Sequence, residues 1–144
     1  MLGKLPEGIV SFLNNPMVTK VLATVDEMGN VHAVPVASLQ ATPDGSMIIF
    51  AQVFVKKTPQ NLMHMKEVGK QAVIVAQLFS PPNIEGYAIR CNVGEQLTSG
   101  PIFDQVSASL RKAMGLSTKA VWTLIPVEYE VCTPGPDVGR TIKL

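Results

Sequence analysis

Charged residues are scarce in this sequence. Lysine, arginine, aspartate and glutamate make up 16% of its 144 residues, whereas about 25% is usual in a soluble domain. The net charge is only +1 and the basic residues are scattered, so the chain lacks the basic stripe of a nucleic-acid-binding protein. Hydrophobic residues account for 47%, and the mean hydropathy is +0.25. We therefore expect a second copy of the chain to cover part of the surface, in a homodimer.

Long hydrophobic runs and cysteines are also scarce. No apolar run reaches the roughly 18 residues of a membrane helix, and residues 1–7 hold no hydrophobic signal core. We therefore expect no membrane association and a cytoplasmic location. Cys91 and Cys132 are the only cysteines, and they lie far apart in the sequence. We expect two buried, reduced thiols rather than a disulfide or a catalytic thiol.

Several catalytic motifs are absent. The chain has no Gly-x-Gly-x-x-Gly for a nicotinamide dinucleotide, no Gly-x-Ser-x-Gly elbow and no His-Glu-x-x-His. Its two histidines, His32 and His64, have no carboxylate or cysteine at ligand or dyad spacing, so we expect no metal site. We expect both histidines to be packed or solvated rather than catalytic. A cofactor that carries its own chemistry would need no such set of residues.

Hydrophobic periodicity and turn signals predict a mainly β, α+β fold in a single domain over 1–144. Helices are predicted at 6–14, 58–68 and 101–114, strands at 18–25, 31–40, 46–53, 72–78, 87–97, 120–125 and 128–132, and an irregular tail at 133–144. Short turns join the first three strands, so we expect them to form an antiparallel meander. Six to seven antiparallel strands with about three short helices indicate a closed or nearly closed β-barrel.

The most informative segment is 50–62, where an apolar strand runs into two lysines and then into a helix start. The lysines are Lys56 and Lys57. Thr58 is suited to the N-cap of the helix, because its hydroxyl can accept a hydrogen bond from a free N–H group. Pro59 fits the first helical position, where its missing N–H costs nothing.

This helix start is suited to binding an anion. The free N–H groups of Gln60 and Asn61 would point out of the helix end, beside the two ammonium groups. A phosphate of a nucleotide or coenzyme is the ligand that fits this chemistry. The alternative is a capped surface helix that follows two solvated lysines.

Three motifs in this order resemble those of the FMN-binding split-barrel family. They are GNVHAVPV at 29–36, DGSMIIF at 44–50 and KTPQNL at 57–62. The family includes pyridoxamine 5'-phosphate oxidase and the small FMN-binding proteins of anaerobic bacteria. The resemblance covers roughly residues 6 to 132 and implies a split β-barrel that holds FMN at a dimer interface.

The resemblance also implies a set of binding residues. Carried over by position, the contacts to the flavin ring and ribityl chain fall on Val34, Pro35, Val36, Ala51, Gln52 and Gln77. The phosphate contacts fall on Lys57, Thr58 and Asn61, with Lys56 as an alternative ligand. Trp122 would stack on the flavin from the partner subunit, although an ordinary core or interface aromatic is the alternative for this residue.

The chain departs from the oxidase itself in two ways. It has no Arg-x-His pair near the C-terminus, and its second strand lacks an arginine. We therefore do not expect oxidation of pyridoxamine phosphate. The resemblance implies a redox protein, either an electron carrier or a small flavin-dependent oxidoreductase.

Two alternatives remain open on the same barrel. One is a deazaflavin-dependent reductase, whose longer and more acidic cofactor would need extra basic residues around the site. Lys56, Lys57 and Arg90 are the only obvious supply. The other is a non-enzymatic module that binds a nucleotide or works by association.

Overall fold

The computed structural model describes residues 3–144. Met1 and Leu2, which begin the segment predicted to hold no signal core, lie outside the described residues. The elements in chain order are α1 (Glu7–Leu13), β1 (Thr19–Val25), β2 (Val31–Pro35), β3 (Gln40–Ala41), β4 (Ile48–Gln52), α2 (Lys57–Val68), β5 (Ala72–Ser80), β6 (Asn83–Leu97), α3 (Pro101–Met114), β7 (Ala120–Val131) and β8 (Thr141–Lys143).

The strands form one antiparallel sheet in the order β2-β1-β5-β6-β7-β4-β3, and β8 pairs with β7. Among the described residues, the end strands β2 and β3 do not pair with each other, so the sheet is a barrel that stays open along one seam. The mainly β, α+β fold with three helices is confirmed. None of the described helices has both the length and the apolar character to cross a membrane.

The predicted meander of the first three strands is wrong. β2 pairs with β1, whereas the predicted third strand, which is β4, pairs with β7 and β3. The chain leaves β2 at Pro35 and turns at Val36–Leu39, whose two end residues are buried. It then reaches the far edge of the sheet. Turn residues mark where a strand ends, but the ladder partner is chosen by packing between distant segments.

The C-terminal part is more regular than the sequence indicates. β7 runs through Pro126, because the β6–β7 register shifts beside this residue and the ladder is already interrupted there. The tail predicted to be irregular contains β8. Gly139 has φ 86°, and its N–H donates to Val131 O at 2.8 Å, which turns the chain back along β7.

The core fills the barrel and is extended by the helices. Its largest fully buried side chains include Trp122, Phe50 and Leu62. A second, smaller cluster places Val106 of α3 against Ile49, Ala51 and Val121 on the opposite face of β4 and β7. The α3 helix is thus held outside the barrel wall by few buried residues.

The outer face of β2, β1 and β5 has no layer over it among the described residues. Strand alternation and register place uncharged and mostly apolar side chains there: Thr19, Val21, Ala23, Val31, Ala33, Pro35, Val73, Val75, Gln77 and Phe79. These residues form the surface called here the open sheet face, and none of them is charged. Such a face is typical of a protein interface.

Candidate functional site

The helix α2 begins earlier than the sequence predicts. Its first helical residue is Lys57, and Lys56 at the N-cap has helical φ and ψ of −117° and −52° with no capping side chain. The assignment of Thr58 to the N-cap is therefore wrong. Thr58 lies inside the first turn with no exposed surface, because its side chain is drawn into the packing beneath the helix.

This earlier start changes which backbone groups are free. In a helix that begins at Lys57, the N–H groups of Gln60 and Asn61 already have acceptors one turn back, contrary to the sequence prediction. The free N–H groups are those of Lys56, Lys57 and Thr58. They still converge at the positive end of the helix dipole, so the candidate anion site begins at Lys56 rather than at Gln60.

A buried polar cluster lies behind this helix end. The Thr58 hydroxyl is buried and has no hydrogen-bond partner among the described residues, and the same holds for His32 Nδ1. Asn61 Nδ2 donates to Thr24 Oγ1 at 3.1 Å, and Thr24 lies opposite His32 in the β1–β2 ladder. Leaving a buried polar group unpaired costs about 1–3 kcal/mol, so these atoms indicate a place where a ligand or water completes the hydrogen bonding.

The charge at the helix end is positive. Lys56 and Lys57 are exposed, and neither has a carboxylate within 4.0 Å among residues 3–144. Asp26 lies nearby on the β1–β2 turn. The pKa of the Asp26 carboxyl is lowered, chiefly by the hydrogen bond from the Asn30 backbone N–H, and the charge of Lys57 acts in the same direction. Two cations against one carboxylate leave a net attraction for an anion.

Most side chains of the predicted flavin wall are buried, in the barrel core or beneath α3. Val36 and Ala51 are buried, and Val34 packs against the barrel core. Pro35 is exposed on the open sheet face. Contacts from Val34, Val36 and Ala51 to a flavin would therefore come from their backbone atoms.

Gln52 and Trp122 form one hydrogen-bonded unit. Gln52 Oε1 accepts a hydrogen bond from Trp122 Nε1 at 2.9 Å and another from Gln96 Nε2 at 3.1 Å. The Trp122 ring is only 2% exposed. Within the protomer it has the environment of an ordinary core aromatic, which is the alternative that the sequence left open.

Gln77 is not brought to the helix end within one protomer. It is exposed on β5 opposite Thr19, whereas Asp26 follows the other end of β1. Thr19 and Val25 are six residue steps apart along the strand, or about 20 Å. Only the partner subunit in a dimer would bring Gln77 close to the anion site.

Thr24 is a residue of this region that the sequence did not indicate. Its only signal is strand alternation, which places Lys20, Leu22 and Thr24 on the inner face of β1.

Phe54 is a second residue of this region that the sequence did not indicate. It lies two positions before Lys56 and is 80% exposed. An exposed aromatic beside free cations offers an apolar surface next to an anion site. Within residues 3–144, no group of three His, Cys, Asp or Glu side chains has the arrangement of a metal site.

Comparison with known proteins gives structural matches alone. No protein-family model matches the sequence, and no curated protein matches it significantly. An FMN-binding protein from Syntrophomonas wolfei subsp. wolfei is 20% identical with a TM-score of 0.71, over 85% of this chain and 82% of that one. An F420 reductase is 17% identical with a TM-score of 0.62, over 88% and 98% of the two chains.

A third match names another cofactor. HutZ, the heme storage protein from Vibrio cholerae, is 17% identical with a TM-score of 0.62, over 90% of this chain and 95% of that one. At these identities the matches establish the architecture and leave the ligand open. The chain therefore has the split-barrel fold that its resemblance to FMN-binding proteins predicted.

Proposed function

We propose that this protein binds FMN and acts in redox chemistry, as an electron carrier or a small flavin-dependent oxidoreductase. The observation that carries the proposal is the start of α2, where free N–H groups and two exposed lysines share one helical turn with Thr58, and within residues 3–144 neither lysine has an ion-pair partner and the Thr58 hydroxyl has no hydrogen-bond partner. A phosphate monoester dianion fits this set, because it accepts several hydrogen bonds and neutralises both ammonium groups. The same donors make FMN a better candidate than a neutral ligand.

Each residue has a distinct part in this binding. Lys57 supplies charge and the Lys56–Thr58 backbone supplies N–H donors. The Thr58 hydroxyl is buried before binding, and it would supply one more donor once the phosphate contacts the first turn of α2. Asn61 is a positioning residue, since its hydrogen bond to Thr24 ties α2 to β1. Bound FMN would supply the electron-transfer chemistry, while the protein would set its position and exclude water.

The proposal includes a homodimer with the flavin at its interface. The open sheet face supports this, because an uncharged and mostly apolar surface suits a second copy related by a two-fold axis. A second copy would also add residues that one protomer does not bring to α2, such as Gln77.

Substitution of Lys57 tests the phosphate site. Lys57→Ala should weaken FMN binding by about 1–3 kcal/mol, the scale of a lost charge-assisted hydrogen bond, and should leave the fold intact. The measurement is an FMN titration followed by flavin fluorescence, with a visible spectrum of the purified protein. Lys70→Ala, just beyond the other end of α2, is the matched control. Equal affinities for the two variants would remove Lys57 from the site.

Substitution of Thr58 tests the role of its buried hydroxyl through two measurements, in which stability should rise and FMN affinity should fall. Thr58→Val keeps the shape and removes the unpaired hydroxyl. The FMN-free variant should be more stable by about 1 kcal/mol, because a buried unsatisfied group is lost. Its FMN affinity should fall, because a donor to the phosphate is lost. Chemical unfolding and the same titration measure the two effects, and unchanged affinity would exclude the hydroxyl from the site.

A deazaflavin is the second candidate, supported by the match to an F420 reductase. Its longer acidic tail needs further cations, and Arg90 was the third basic residue that the sequence offered for this site, beside Lys56 and Lys57. The structure pairs Arg90 Nε with Glu128 Oε1 at 2.9 Å, so this cation is already neutralised. FMN is therefore preferred. Parallel titrations with F420 and hemin distinguish these cofactors, and binding of none of the three would favour the non-enzymatic module.

A further inference from the structure

Lys20 is a buried cation with incomplete hydrogen bonding. It lies on the inner face of β1 and is only 8% exposed. Its Nζ donates to the carbonyl oxygen of Leu13, the last residue of α1, at 3.0 Å. Within residues 3–144 its ammonium group has no other hydrogen bond and no carboxylate within 4.0 Å. An ammonium group has three N–H donors, so two of them lack a protein acceptor.

Lys20 contributes to the lining of a cavity of about 300 Å³. It lies between α3 and the segment 37–40 that follows β2. Its wall is mostly apolar and includes Leu39, Val106, Leu110, Ala113 and Met114, and Lys20 is the only charged residue in its lining. Its volume is at the lower end of the range of small-molecule sites.

A single cation at an apolar cavity favours one class of ligand. Burying an ammonium group without a counter-charge is costly. Burial accordingly lowers the pKa of Lys20. A carboxylate would supply both the missing negative charge and the missing acceptors, and an apolar body attached to it would pack against α3. A phosphate ester with a polar body would leave the apolar wall unmatched.

We propose that this cavity binds a small apolar carboxylic acid, whose carboxylate pairs with Lys20 and whose hydrocarbon part lies against Leu110 and Val106. The site is separate from the start of α2. Lys20 lies near the first residue of β1, while Asp26 and the α2 lysines lie beyond its last residue, roughly 17 Å along the strand. The competing structural role is simple capping of α1 by Lys20 at Leu13 O.

Octanoate is the probe, with octanol as its matched neutral control. Calorimetric titrations use the full chain saturated with FMN, or the chain alone if no flavin binds. Octanoate should bind at least about tenfold more tightly than octanol, the effect of one charge-assisted contact. Lys20→Met, which has similar length and no charge, should remove this preference. Leu110→Trp should fill the cavity and abolish octanoate binding while Lys20 remains.

The possible results separate the ligand site from a structural cap. Equal binding of octanoate and octanol, or octanoate binding unchanged in Lys20→Met, would overturn the proposal. Competition between octanoate and FMN would also overturn it, because the carboxylate would then occupy the cofactor site. If Lys20→Met does not fold by circular dichroism, Leu110→Trp decides alone, and unchanged octanoate affinity there would reject the cavity.

Discussion

The two cysteines show how far residue type determines environment. Cys91 is fully buried, and burial raises its pKa to about 12. Cys132 is exposed, so the expectation that both thiols are buried is wrong for this residue. It follows the end of β7, where the side chain faces away from the barrel. Cys91 lies in the middle of β6, whereas Cys132 lies one residue beyond the end of β7, where a strand pattern does not determine burial.

This difference predicts selective thiol chemistry. At mildly alkaline pH a disulfide reagent such as DTNB should modify one thiol of the native protein quickly, because only Cys132 is accessible and because the thiolate of Cys91 is strongly disfavoured. Cys132→Ser should abolish the fast phase, and Cys91→Ser should leave it unchanged. Two fast thiols in the native protein would show that the barrel opens readily.

At the scale of elements, the helices follow their sequence signals most closely. Gly69 and Gly115 end α2 and α3 with φ of 73° and 67°, as glycine after a periodic helical segment predicts. Pro101 begins α3, where proline is favoured. These signals depend only on neighbouring residues, so they apply regardless of how the rest of the chain packs. The position of Thr58 was misread because burial beneath the helix, a tertiary effect, outweighed its capping preference.

The bulge in β6 gives an element-scale prediction. Gly94 lies where the β6–β7 register shifts, and a Cβ at this position would lie 2.7 Å from Thr123 O. Gly94→Ala should therefore destabilise the protein by about 1–3 kcal/mol through overpacking. Gly8→Ala is the matched control, since α1 leaves open space around Gly8, and it should stabilise by about 0.5–1 kcal/mol. Chemical unfolding of both variants measures this, and equal effects would contradict the close approach at the bulge.

At the scale of the whole molecule, the open sheet face predicts the assembly. Val75 lies near its centre and is 43% exposed in the protomer. Val75→Lys should convert a dimer into monomers, because burying an unpaired charge in an apolar interface is costly. Light scattering after size-exclusion chromatography at micromolar concentration measures the mass.

Val138→Lys makes the same change at another exposed valine, outside this face, and should leave the dimer intact. A wild-type monomer would contradict the dimer itself. Dissociation by both variants would place the interface elsewhere.

The sequence by itself determined the helices, most strand positions, the mainly β class and the cationic segment before α2. Periodicity, turn residues and capping glycines act over a few neighbours, so they can be read without knowing the fold. Only the tertiary structure decided that β4 pairs with β7, that Trp122 is enclosed, that the Thr58 hydroxyl lacks a partner among the described residues and that Lys20 lines a cavity. Each of these depends on residues distant in the chain, whose contacts are set by packing rather than by local preference.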